Sequence, residues 1–270
     1  MDPNLIKSGF DALPESTVES ILNPTGKILG DSAGGLARTI CYPLLMWNIY
    51  TKEKLDNYAN NIHKKINSIP EKRRDVSRLP VFLETLEKSK YKIGEDDIRE
   101  MFENLLSKSL DSKYNDSITP RDATVIAQLG YKDASALNLL SKLRTSYFDS
   151  DLRIHQIPVA KLTESNKDNT ATHNVTGPII LTTDKCYKDL DLHLDNLRGL
   201  GIIEINFQHW LTDKVFTNLY NSFKNTDVYH SYTSQTLDDK VIITIDRNFE
   251  VNKGFIHITD FGTHLMDIIK

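Results

Sequence analysis

Cysteine is scarce: Cys41 and Cys186 are the only two in 270 residues, far apart and outside any CxxC or other metal-binding spacing. That usage excludes a disulfide framework and fits inert thiols in a reducing cytosol. A long apolar run is also missing. The opening residues, MDPNLIKSGFDALPES, have neither a basic start nor a continuous apolar stretch, so no secretory signal peptide is expected. Across residues 28–50, Asp31, Arg38 and Pro43 interrupt the apolar pattern. The longest uncharged piece, residues 39–51, falls short of the roughly 20 residues a membrane-spanning helix needs. The expected location is the cytoplasm, with membrane contact limited to the periphery.

An excess of positive charge is lacking too. Lys and Arg total 33 against 37 Asp and Glu, a net charge of -4, which removes the broad basic field of a nonspecific nucleic-acid or anionic-membrane binder. None of the eight histidines lies in an HExxH, an HxH or a zinc-like spacing. Gly26-Lys27 lacks the upstream glycine and the following Ser or Thr of a phosphate loop, and DLDLHLD around His193 lacks the turn glycine and final Glu of a calcium loop. No catalytic residue, metal ligand set or cofactor is therefore assigned, and a non-enzymatic role is favoured.

What the chain does have is 39% hydrophobic and 26% charged residues, enough for a packed core and too apolar for wholesale disorder. After Pro14 and Pro24, the spacing predicts a helix over residues 52–69 with Leu55, Tyr58, Ala59, Ile62, Ile66 and Ile69 on one face, ended by Pro70. Residues 81–88 and 95–110 continue the helical pattern, the latter with Ile98, Met101, Phe102, Leu105 and Leu106 as its stripe. Thr119-Pro120 marks another helix start, and Asp133 is placed to cap a helix burying Ala136, Leu137, Leu140 and Leu143. The first 145 or so residues thus read as all-α.

The pattern changes at Asp149. RIHQIPVAKL fits one short strand, and the polar TESNKDNTATHNVTG reads as a linker. Beyond Asp184 come a helix, Gly201, the strand IIEI, a helix around Val215 to Phe223, two β-rich runs, VIITI and GFIHIT, and a last helix from Asp260. The expected fold is mainly α: an N-terminal helical region followed by a C-terminal winged-helix-like α+β module. Its divisions are a glycine-containing segment at 1–50, a helical domain at 51–148, a linker at 149–183 and the module at 184–270.

Two stretches, FLETLEKSKYKIGEDDIREMFENLLSKSLDS and ITPRDATVIAQLGYKDASALNLL, resemble the core of the abortive infection alpha family. The first carries the family's "LLxxS" element in residues 104–109, and the second places Asp133-Ala134 where the family has its "DA". The tail is similar as well: NLRGLGIIEI and FIHITDFGTHLMDII match a "LxxLGLI … lTxfGxxf" close. The resemblance implies a bacterial cytoplasmic protein of anti-phage defence, and it brings no catalytic residues.

Three features remain for function. In a winged-helix layout the helix at 184–200 takes the recognition position, but Asp184, Asp189, Asp191 and Asp195 outweigh Lys185, Lys188 and Arg198 there. The whole module carries nine Lys and Arg against thirteen Asp and Glu, so protein contact is favoured over DNA. Lys64, Lys65, Lys72, Arg73, Arg74 and Arg78 cluster around a helix end. They fit a solvated face near the negative end of the helix dipole, or, as the alternative, contact with an anion or nucleic acid. Gly26, Gly30 and Gly34 recur every fourth residue, which suits close helix packing, self-assembly or a peripheral membrane contact. The favoured function is a non-enzymatic interaction or effector protein in abortive infection, with a protein partner or self-association. The alternatives are a nucleic-acid-binding winged-helix regulator and a membrane-associated effector.

Overall fold

A computed structural model describes residue 35 and residues 49–144, 155–165, 172–233 and 248–270. The described residues hold nine α-helices and a six-stranded antiparallel sheet, and the chain divides into two compact units. One takes in residues 1–134 and 265–270, the other residues 135–264.

The first unit is helical. Helix α1 (Lys52–Asn67) starts at Thr51, whose hydroxyl accepts from the Lys54 amide at 3.3 Å, and closes on Lys64 and Lys65. Helix α2 (Leu79–Ser89) has Pro80 in its first turn, where the missing amide hydrogen is not needed. Helix α3 (Asp96–Ser109) opens on Asp96 and Asp97, favourable at the positive end of the helix dipole. Helix α4 (Pro120–Gln128) follows Thr119, whose amide donates to Asp122 Oδ2 at 2.7 Å, so the Thr-Pro start holds.

Helix α1 stops at Asn67, two residues short of the expected end, yet all six apolar residues expected on one face are buried, Ile69 just past the cap, and they pack with Leu79, Phe82 and Leu86 of α2 and with Leu106 and Leu110. Each of its Leu, Ile and Phe side chains contributes roughly 1.5–3 kcal/mol on full burial, so this seam is a large stabilising term of the unit. The Tyr58 hydroxyl, inside it, donates to Ser89 Oγ at 2.6 Å and so avoids the cost of an unmet buried group. Helix α5 (Tyr131–Leu143) departs from expectation in one detail. Asp133 lies within its first turn and accepts from the Gly130 amide at 2.9 Å, reaching back over the start instead of preceding it.

In the second unit, strand β1 (Gln156–Ser165) is long and central. It pairs with β2 (Thr172–Asn174), β3 (Ile179–Leu181) and β6 (Asn248–Ile258), while β4 (Cys186–Tyr187) pairs with β3 and β5 (Ile203–Asn206) with β6. Helix α6 (Asp191–Gly199) precedes β5, α7 (Lys214–Ser222) and α8 (Asp227–Thr233) follow it, and α9 (Asp260–Ile268) comes after β6. Alternation along β1 sends Ala160 and Leu162 to a cluster with Ile179, Leu181, Phe216, Leu219, Tyr220 and Phe223. Ile157 and Val159, of the opposite parity, are buried as well.

The stretch expected as a linker, 149–183, therefore supplies β1, β2 and β3. Its polar residues are tolerated because they alternate or pair: Thr163 Oγ1 accepts from Asn252 Nδ2 at 2.8 Å on the neighbouring strand. Of the two β-rich runs expected before the last helix, VIITI lies outside the described residues. The other, GFIHIT, is the end of β6, and its partners are β1 and β5.

The tail elements have a physical explanation. Gly201 takes φ 76°, the left-handed turn that ends a helix and suits glycine. Thr259 Oγ1 lies 2.7 Å from the Gly201 carbonyl oxygen and accepts from the Gly262 amide at 2.9 Å, tying the start of α9 to the turn before β5. Gly262 has no room for a side chain, because a Cβ there would overlap the Ile202 carbonyl oxygen.

Candidate functional site

The first unit carries a cleft of 440 Å³ between the last turns of α1 and the first turns of α3, lined by Asn61, Lys64, Lys65, Asp96, Asp97, Arg99, Glu100 and Glu103. Not one lining residue is apolar. Lys64 and Lys65 come from the last turn of α1 and Asp96 and Asp97 from the first turn of α3, each where its helix dipole favours that sign, while Arg99, Glu100 and Glu103 follow on α3.

Glu103 is the unusual member, only 3% exposed. Its Oε1 accepts from Asn61 Nδ2 at 3.1 Å and stands 3.6 Å from Arg99 Nε. Burial pushes its carboxyl above the ordinary range; Asn61, Lys65 and Arg99 act in the opposite sense, and Glu100 adds to the rise. Arg99 is itself held by Asp96 at 2.7 Å and by the Ile93 carbonyl at 3.2 Å.

Next to Glu103 on α3, Asn104 is buried and bonded at both ends of its amide. Its Oδ1 accepts from Lys65 Nζ at 2.7 Å, and its Nδ2 donates to the Ile269 carbonyl at 2.7 Å. One turn on, Lys108 Nζ donates to the carbonyls of Asp267 at 3.0 Å and Lys270 at 2.9 Å. Burial lowers its ammonium pKa, against the pull of Asp267. These carbonyls lie in the last turn of α9 and just beyond it, so Lys108 ties that end of the helix to α3.

The six basic residues singled out from sequence do not form one patch. Lys64 and Lys65 line the cleft, Lys64 exposed and Lys65 committed to Asn104. Lys72 is exposed in a short turn. Arg73 makes a two-pronged ion pair with buried Asp111, its Nε at 2.9 Å from Oδ1, and that hydrogen bond raises the guanidinium pKa. Arg74 caps α1 by donating to the carbonyls of Asn67 at 2.9 Å and Ile69 at 3.0 Å, while Arg78 donates to the Ile118 carbonyl. Gly26, Gly30 and Gly34 lie outside the described residues.

Sequence reading passed over Glu103, Asn104, Lys108 and Asp111. A signal was present for the first two, since polar residues directly beside the stripe of Ile98, Met101, Phe102, Leu105 and Leu106 must be buried or bridging if α3 is covered on more than one side. Asp111 needed knowledge of a partner 38 residues away.

The sequence model of the family described as abortive infection alpha matches residues 50–269, and the chain belongs to that family. The match spans the "LLxxS" segment that holds Asn104 and Lys108 and the tail that their side chains hold in place. No curated protein and no solved structure matches the chain. Membership associates the protein broadly with abortive infection, a form of phage defence. Among the described residues, no helix is long and apolar enough to cross a membrane, and no group of three His, Cys, Asp or Glu is arranged to hold a metal ion.

Proposed function

We propose that the protein acts in abortive infection as a non-enzymatic interaction protein, using a winged-helix-like second unit to contact a protein partner. The order α6, β5, β6, α9 supports the winged-helix-like reading. The observation that carries the choice of partner is the surface of α6, the helix in the recognition position. Leu192 there is 65% exposed beside Asp191, and Asp189 and Asp195 both add to the burial-driven rise in the Asp191 carboxyl pKa, the mark of a local negative field. Such a surface repels phosphate and offers an apolar anchor. Trp210, 53% exposed in the loop after β5, is a second anchor of the kind enriched at the centres of interfaces.

The test pairs phage plaque counts with melting. Leu192→Asp combined with Trp210→Ala is expected to remove protection while leaving the melting temperature of the full chain unchanged, since both side chains face solvent. Specific, salt-sensitive binding of the full chain to duplex DNA at submicromolar concentration would instead establish the nucleic-acid regulator.

A further inference from the structure

We draw no further inference here: the strongest candidate, the lysine cluster at the end of α3 where Lys65 and Lys113 both crowd Lys108, is spent on the fold itself, since Asn104 holds Lys65 and the carbonyls of Asp267 and Lys270 hold Lys108, and nothing in the structure shows what would meet Lys113 over the Tyr114 ring.

Discussion

Asn104 donates its side-chain amide to the main-chain carbonyl of Ile269 at 2.7 Å, across 165 positions of sequence, while accepting from Lys65 Nζ at the same distance. One buried amide thus joins α1, α3 and the end of α9. Replacing it by Leu, close in volume, deletes both bonds and leaves a carbonyl and an ammonium without their partner. Asn104→Leu is expected to lower the unfolding free energy by about 1–3 kcal/mol, read as a shifted urea midpoint with an unchanged slope.

Glu103 sets a pH dependence of definite sign. Its folded pKa is raised, so between the unfolded value near 4.5 and the folded value the native state holds more protons than the unfolded one. Stability from this group is then full below the unfolded pKa and declines as pH rises through the folded pKa. The facing charges are Lys65 from α1 and Arg99 and Glu100 from α3. Glu103→Gln removes the titration. Its stability relative to wild type should therefore rise with pH across that window, and urea melts of both proteins at matched pH values measure it; a flat difference contradicts the shift.

Gly262 is expected to reject even a methyl group. Alanine there would overlap the Ile202 carbonyl oxygen, and backbone cannot move as a flexible side chain does. Gly262→Ala should cost about 1–3 kcal/mol, whereas Gly199→Ala, helical and with open space where the Cβ would stand, should gain about 0.4–1 kcal/mol. Thermal melts of the two variants side by side make the comparison.

Tyr220 buries its ring among the residues over β1 and donates its hydroxyl to the Gly254 carbonyl at 2.6 Å. Burial pushes its pKa up to about 12. Spectrophotometric titration of wild type against Tyr220→Phe should show one phenol fewer ionising only near that pH, and the variant should lose about 0.5–1.5 kcal/mol for the missing bond.

The helical half was legible because its information is local. Leu55, Tyr58, Ala59, Ile62, Ile66 and Ile69 recur at helical spacing, and Thr119-Pro120 announces a start without help from elsewhere. The sheet was less so. IIEI could be read as a strand, but nothing near Gln156 reveals that its partner is His257, nor that Thr172 to Asn174, set in a polar run, would form a strand beside Thr163. The cleft was half visible: Lys64 and Lys65 stood out as charges, whereas the burial of Glu103 follows from how α1 lies against α3 and has no local signature.

The pairing of β1 with β6 also fixes an order of events. Gln156 meets His257 and Ser165 meets Asn248, so the central ladder of the sheet joins segments made far apart in time. On the ribosome β1 can pair early with β2 and β3, but its other edge must wait for β6 until about a hundred further residues have been added. At roughly 5–20 residues per second that is on the order of ten seconds, a span in which a chaperone has its best opportunity to bind this unit and a premature stop would leave the ladder without one side.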